Sequence, residues 1–258
     1  MISPLAYVHP NAKLGENVEI EPFATVMDDV EIGDRTRICS HAVIQSCSRI
    51  GADCVIHPGA VIGGVPQDLK FKGEYTLAII GDRTVVRECA TVNRGTASKG
   101  KTVVGNDCLI MAYCHVAHDC KLGNHIIMSN ATQLAGEVVV DDWAVIGGGT
   151  LTHQFTHIGA HVMIQGGSRI NKDIPPYVLA GREPICYVGL NSVGLRRRNF
   201  PAETVNDIQS IYRTIYLTGY NIKEAIEHVL EEINPSPVRD EIIDFIRNSE
   251  RGVIRANF

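Results

Sequence analysis

Aliphatic side chains recur at every sixth position over most of the chain. Stepping from Ile2, the series reads Val8, Leu14, Ile20, Val26, Ile32, Ile38, Ile44, Ile50, Ile56 and Ile62 without a break. It resumes at Ile80, Val86 and Val92, and runs from Val104 through Ile110, Val116, Leu122, Met128, Leu134, Val140 and Ile146. It returns once more at Ile158, Ile164 and Ile170. Two positions before many of these stands a small residue, among them Ala24, Ala42, Cys54, Ala60, Ala90, Cys108, Cys114, Cys120 and Ala144. Residues two apart point to the same side of a strand, so each hexad offers one large and one small side chain to a common interior. Gly, Asp and Asn fall between (Gly33-Asp34, Gly51-Ala52-Asp53, Gly81-Asp82, Gly105-Asn106-Asp107, Gly123-Asn124), where the tolerance of Gly and Asn for a left-handed backbone predicts a corner. This period is too short for a helix pair and does not match the spacing of about 3.5 of a coiled coil. The pattern predicts a parallel β-helix of the hexapeptide type.

The series fails at Asp68, Glu74, Ser98 and Thr152. Ile80 falls back into register, so the first interruption spans a multiple of the repeat; a replaced coil and a looped-out segment both satisfy it. Excursions from the wall are therefore expected near 64–78 and 94–103, the second carrying glycine and lysine as surface loops do. Pro175-Pro176 is expected to end the hexads, because adjacent prolines supply no ladder donors. From Asn191 the spacing becomes helical. Pro201-Ala202-Glu203 opens one helix with Val205, Ile208, Ile211, Tyr212 and Ile215 on a face, closed by Gly219. Asn221 caps a second and Ser236-Pro237 begins a third. The chain divides into a β-helix over 1–190 and a small helical domain over 191–258, for which capping the solenoid's open strands is the plainest role.

Composition narrows the chemistry. At 258 residues with a net charge of −5, the chain has ample core and no general attraction to nucleic acid or anionic membrane. Met1 to Leu5 carry neither a basic start nor a long apolar run, so no signal peptide or membrane insertion is expected and the cytoplasm is. Of eight cysteines, Cys54, Cys108, Cys114 and Cys120 occupy the small inward position and read as core. No CxxC pair or ligand spacing occurs, and neither a metal nor a cofactor is expected.

The densest polar cluster is His115-Val116-Ala117-His118-Asp119, which suits a metal site, a general base or a merely solvated corner. If three hexads close one triangular coil, residues 18 apart stack, placing Gly136 over His118 and Glu137 over Asp119. A glycine there leaves room for a substrate and an open N–H beside the histidine. Base and donor together are what acyl transfer needs, one to take the hydroxyl proton and one to hold the oxyanion. Asp68 puts an acid where the chain leaves the wall. Arg196-Arg197-Arg198 is a basic run in an acidic protein, suited to phosphate or an acidic partner. His153 follows the failure at Thr152.

The segments GGVPQDLKFKGE (63–74), TVNRGT (91–96), MAYCHVAHDCKLGN (111–124), NATQLAGEVVVDDWAVIGG (130–148), THQFTHIGAHVMIQGG (152–167) and GLNSVGLRRRNF (189–200) resemble the UDP-N-acetylglucosamine acyltransferase family of lipid A biosynthesis. The resemblance covers nearly the whole chain. It implies a left-handed β-helix, a homotrimer with active sites between subunits, and transfer of an (R)-3-hydroxyacyl group from acyl carrier protein to the glucosamine 3-OH of UDP-N-acetylglucosamine. The donor would ride on the carrier's phosphopantetheine arm, with no further cofactor. By the same resemblance His118 is the general base, Asp119 its orienting partner and Gly136 the oxyanion donor. Asp68 and Lys70 would meet the sugar nucleotide, with His115, Glu137 and His153 lining the cleft. Asn191, Arg197 and Arg198 would contact nucleotide or phosphopantetheine, and Gly166 would stand near the acyl-chain floor.

Asn93 and Glu137 stand where the family more often has histidine, Val193 where it has an acid, and Pro184 where it has a histidine tied to chain length. Acyl length is therefore left open. Other readings are the related UDP-3-O-acylglucosamine N-acyltransferase, a trimeric metalloenzyme of carbonic anhydrase type with His115 and His118 as ligands, and an ice-binding β-helix. The last requires outward threonine ladders, which the chain lacks.

Overall fold

The computed structural model describes residues 1–256; the final two positions of the expected helical segment lie outside the described residues. The hexads close into a triangular left-handed parallel β-helix. Its first face holds nine described strands, from Tyr7–Val8 to Arg169–Ile170, and its second holds eight, from Lys13–Leu14 to His157–Ile158. The third face holds ten, from Glu19–Ile20 to Met163–Ile164, then Val178–Gly181 and the antiparallel Cys186–Leu190. Left-handed parallel coiling is an exception to the usual right-handed crossover.

Successive coils stack in strict register, Ile20 beside Ile38 and Ile38 beside Ile56. These side chains are sealed inside, and each fully buried aliphatic contributes roughly 1.5–3 kcal/mol. The small inward positions hold cysteine and threonine as readily as alanine. Thr36 Oγ1 donates to the Gly51 carbonyl at 2.7 Å and Thr84 Oγ1 to that of Gly105 at 2.7 Å, which satisfies hydroxyls that burial would otherwise penalise. All eight cysteines are free thiols. Burial pushes Cys108 up to about 11 and Cys120 up to about 12, as expected of inert core groups.

The corners differ from expectation in their chemistry. Gly33, Gly51, Gly81 and Gly105 are not the left-handed residues; those are Arg35 (φ 57°), Asp53 (57°), Arg83 (55°) and Asp107 (55°). The glycines are required because a Cβ at Gly33 would stand 2.6 Å from the Ala52 nitrogen, and one at Gly105 would stand 2.3 Å from the Gly123 carbonyl oxygen. Beside them an acid or amide ladder satisfies the corner N–H groups. Asp82 Oδ1 accepts from the Ala52 N–H, Asn106 Oδ1 from Asp82 and Asp142 Oδ1 from Asn124, each at 2.8 Å.

The interruptions are loops spliced out of an unbroken wall. Ile80 pairs with Ile50, 30 positions back, where Ile50 pairs with Ile32, 18 back, so the extra 12 residues are the excursion at 65–76. Val104 pairs with Ile80, 24 back, so six more are looped out between Asn93 and Lys101. Thr152, by contrast, never leaves the wall; it sits buried in the strand Leu151–Thr152. Nor do the prolines end the third face, because Val178–Gly181 resumes it beside Met163–Ile164 beyond them.

Four helices follow, α1 (Ser192–Arg197), α2 (Ala202–Leu217), α3 (Ile222–Glu232) and α4 (Pro237–Arg247). The short α1 was not anticipated as a separate element. Asn221 forms a full capping box with Glu224, and Ser236 caps α4. Tyr212 of α2 donates to the Pro176 carbonyl at 2.6 Å, and Phe245 of α4 packs on His157, tying the helices to the wall. Along the edge between the second and third faces His125, Trp143, His161 and Tyr177 stack ring on ring.

Burial, reinforced by the Arg198 charge, holds the His161 ring down to about 4 from an ordinary 6.5. The unfolded chain takes up a proton there that the folded chain refuses. Stability from this group is full above pH 6.5 and is lost as pH falls toward about 4. Replacing His161 with Phe keeps a ring and removes the titration. Melting temperature of the variant is expected to decline less across that window than the wild type's; parallel curves would contradict it.

Candidate active site

Asp68, His118, Asp119 and Gly136 come together on the edge between the first and second faces. His118 follows the strand His115–Val116 and precedes Lys121–Leu122, at a corner whose backbone is held by the coils on either side. The His118 carbonyl accepts from the Glu137 N–H at 3.0 Å, which fixes the stacking that the repeat predicts. A Cβ at Gly136 would lie 2.5 Å from His118 Cε1 and 2.6 Å from Nε2. The glycine is therefore demanded by the imidazole, not by the backbone. The Gly136 carbonyl accepts from Phe155, while its N–H has no acceptor among the described residues.

Asp119 occupies a left-handed corner position (φ 62°), and its side chain is fully buried. Its Oδ2 lies 2.8 Å from His118 Nδ1. With Nδ1 occupied as donor, Nε2 is left to accept a proton. On the Nε2 side Asp68 Oδ2, on the 65–76 loop, lies 4.0 Å away. Asp68 Oδ1 accepts from the Lys70 N–H at 2.9 Å, and the Lys70 side chain stands exposed beside it.

The two loops brace one another. Glu74 Oε1 accepts from the Ala97 N–H at 2.9 Å, the Arg94 guanidinium lies over the Phe71 ring at 5.2 Å, and Tyr75 donates to Asp29 at 3.0 Å. From the second loop, Thr96 donates its N–H and its hydroxyl to the Asp119 carboxylate. Sequence reasoning missed Thr96, although it lies in the TVNRGT segment. Asn93, one coil before Ala117, is buried with an amide nitrogen that finds no partner.

Other expected residues lie further off. His115 sits half-buried with Nδ1 2.7 Å from Thr91 Oγ1, and burial, then the neighbouring His118, holds its ring below the ordinary imidazole range. Glu137 adjoins Gly136. His153 lies on the same edge further along the axis, exposed, with Nδ1 3.0 Å from the Gln154 carbonyl. No group of three or more His, Cys, Asp or Glu residues is placed to hold a metal ion among the described residues.

Three residues stand on other edges altogether. Gly166 is on the corner between the third and first faces, exposed, facing the Gly148 carbonyl. Asn191 and Arg198 are on the edge between the second and third. Asn191 Oδ1 caps α1 through Gly194 at 3.1 Å and its Nδ2 donates to the His161 carbonyl at 2.9 Å, so both ends of the amide are engaged. Arg198 lies over the Trp143 ring at 5.1 Å and donates to the Trp143 carbonyl at 3.0 Å. Arg196 and Arg197 point to solvent. A single chain therefore spreads the expected residues over three edges of the prism.

The C-terminal residues 173–254 match the family described as UDP-N-acetylglucosamine O-acyltransferase, domain 2. Residues 11–46, 29–64 and 101–130 match the bacterial transferase hexapeptide (six repeats) family. The acyl-acyl-carrier-protein–UDP-N-acetylglucosamine O-acyltransferase of Halorhodospira halophila is 45% identical over 255 residues, 98% of this chain and 99% of that protein. The chain belongs to the UDP-N-acetylglucosamine O-acyltransferase family. Among solved members, that of Bacteroides fragilis superposes with a TM-score of 0.98 at 55% identity, over 99% of this chain and 100% of its own. That of Francisella novicida gives 0.96 at 37% identity, over 99% and 94%.

Within this family fold, the contact between Gly136 and His118 is directly testable. Gly136→Ala would drive a methyl group into a ring pinned by Asp119, displacing it by a fraction of an ångström to an ångström. Such a shift costs on the order of a hundredfold in rate. Turnover is expected to fall by about that factor with the melting temperature nearly unchanged; an alanine variant of full activity would show that turnover does not depend on the position of the His118 ring.

Proposed function

We propose that the chain transfers an (R)-3-hydroxyacyl group from the phosphopantetheine thioester of acyl carrier protein to the 3-OH of UDP-N-acetylglucosamine, the first step of lipid A biosynthesis. The observation that carries this reading is the His118–Asp119–Gly136 constellation in a chain so similar to transferases of that name.

His118 Nε2 takes the proton of the sugar hydroxyl as its oxygen attacks the thioester carbonyl. The Gly136 N–H donates to the oxyanion that forms. Collapse expels the phosphopantetheine thiolate, which recovers the proton from His118. A positioned base contributes about 10²–10⁴ in rate and an oxyanion donor about 10²–10³. Asp119 keeps Nδ1 as the donor and faces the imidazolium of the intermediate. Asp68, across from Nε2, is placed to accept from a sugar hydroxyl, with Lys70 toward the diphosphate. The reaction needs no cofactor beyond the carrier's own arm.

We assign the active unit as a homotrimer. The support is the division of Asp68 and His118, Gly166, and Asn191 with Arg197 and Arg198 among three different edges of one prism. A neighbouring subunit would bring its own edge against the His118 edge of the first, with His115, Glu137 and His153 lining the cleft. The exposed Arg196 and Arg197 suit an acidic carrier protein. No helix among the described residues is long and apolar enough to cross a membrane, and the reaction is assigned to the cytoplasm.

An acyl-transfer assay with UDP-N-acetylglucosamine and a ladder of 3-hydroxyacyl carrier proteins tests the reaction and reads the chain length. His118→Ala is expected to lose at least about a thousandfold in turnover with the assembly intact; near-wild-type turnover would remove the mechanism. Refolding a mixture of His118→Ala and Arg197→Ala subunits is expected to restore part of the activity. A mixture as inactive as either parent would argue against sites shared between subunits.

A further inference from the structure

We propose that Thr96 is a positioning residue that holds the His118 imidazole in its reactive tautomer through Asp119, an inference that rests on the general-base reading of His118. Four donors converge on the Asp119 carboxylate. Oδ1 accepts the Thr96 N–H at 2.9 Å and the Lys99 N–H at 3.2 Å. Oδ2 accepts the Thr96 hydroxyl at 2.6 Å and faces His118 Nδ1 at 2.8 Å. One oxygen is thus shared between the threonine and the catalytic ring.

The sharing is directional. Thr96 Oγ1 itself accepts from the Ser98 N–H at 3.2 Å, which turns its own hydrogen toward Asp119. The Thr96 carbonyl is tied by the Gly100 N–H at 2.8 Å, so the hydroxyl is held from both sides of the loop. The Asp119 backbone is already fixed, by its left-handed corner and by its N–H donating to Thr102 Oγ1 at 2.8 Å. Rotation of the carboxylate is the remaining freedom; the Thr96 and Lys99 N–H groups hold Oδ1, and the Thr96 hydroxyl is the donor that fixes Oδ2, the oxygen facing the ring. With one lone pair of Oδ2 occupied by the hydroxyl, the other is aimed at Nδ1. Hydrogen bonds to a charged acceptor are among the stronger ones, so the lock is substantial. This gives the loop at 94–100 a purpose that the wall itself cannot supply. It meets a carboxylate 23 residues further along the chain and orients it.

Thr96→Val keeps the side-chain shape and the backbone donor and removes only the hydroxyl. It is expected to lower kcat about ten- to a hundredfold, the usual range for an outer partner that orients a reacting group, with KM for both substrates within about twofold. Thr96→Ser is expected to restore kcat. The downfield Nδ1–H proton resonance of His118 is expected in the wild type and in Thr96→Ser, and to broaden or vanish in Thr96→Val. In an Asp119→Ala background, Thr96→Val should cost less than about a further twofold, because its effect passes through that carboxylate. A wild-type kcat in Thr96→Val, a loss that appears in KM alone, or full additivity with Asp119→Ala would each overturn the proposal. Should the valine variant not fold, Thr96→Ala in the same cycle decides between the same outcomes. His118→Ala run alongside keeps the two readings apart: its full activity would sink the general-base mechanism, whereas its inactivity beside additive Thr96 and Asp119 effects would sink only the role of Thr96.

Discussion

Close approach of one coil's corner to the next is the constraint on which this molecule depends. Along the edge between the second and third faces the parallel ladders can form only because backbone comes within 2.3–2.6 Å of where a Cβ would stand, as at Gly105 and Gly33. Acid and amide side chains such as Asp82 and Asn106 then take up the N–H groups that the corner leaves over. With corners locked, the aliphatic column cannot slip, since any change of register would turn the large side chains out of the core. The same constraint separates two kinds of glycine. Those at Gly33 and Gly105 are pressed by backbone, whereas Gly136 is pressed only by the His118 ring. A glycine whose space is filled by an imidazole answers to a side chain and not to the ladder.

The wall was readable because its period is short, local and repeated. Ile, Val and Leu at every sixth place determine both the strands and their stacking, and the stacking alone put Gly136 over His118. What was misread lay where two physical causes predict the same residue. A corner glycine serves a left-handed backbone or a close approach, and only coordinates separate the two; here Arg35 and Asp107 take the left-handed positions. Thr152 breaks the aliphatic register with no excursion expected there, and it is a buried hydroxyl tolerated in the wall. The prolines end the simple repeat but not the third sheet, because Val178–Gly181 re-enters the ladder beyond them.

The site was legible only in part, for a related reason. His118, Asp119 and Gly136 lie on the wall and obey its ruler. Thr96 does not. Its partner is Asp119, reached across a looped-out segment with no period to read. Asn191 reads as a polar group in a functional motif, yet its amide is spent capping α1 and holding the His161 carbonyl. Arg198 reads as part of a basic run, yet it is folded onto Trp143. The division of the motif residues over three edges is invisible to a motif search, because the motif residues come from separate coils and from the segment after the last of them.

Electrostatics explains why two histidines so close together need not compete. His118, if it takes up a proton as proposed, is helped by nearby anions and hindered by nearby cations. Its two charged neighbours within 4.0 Å are both carboxylates, Asp119 on Nδ1 and Asp68 facing Nε2. His115 would add an opposing charge if it were protonated, but burial keeps its ring below the ordinary range. The wall thus places beside His118 an imidazole that is harder to protonate than a free one. The two loops bring the structures that finish the environment, Asp68 from one and the clamp on Asp119 from the other, and Glu74 joins them through Ala97. The solenoid supplies position; the charge facing His118 Nε2 comes from a segment that leaves it.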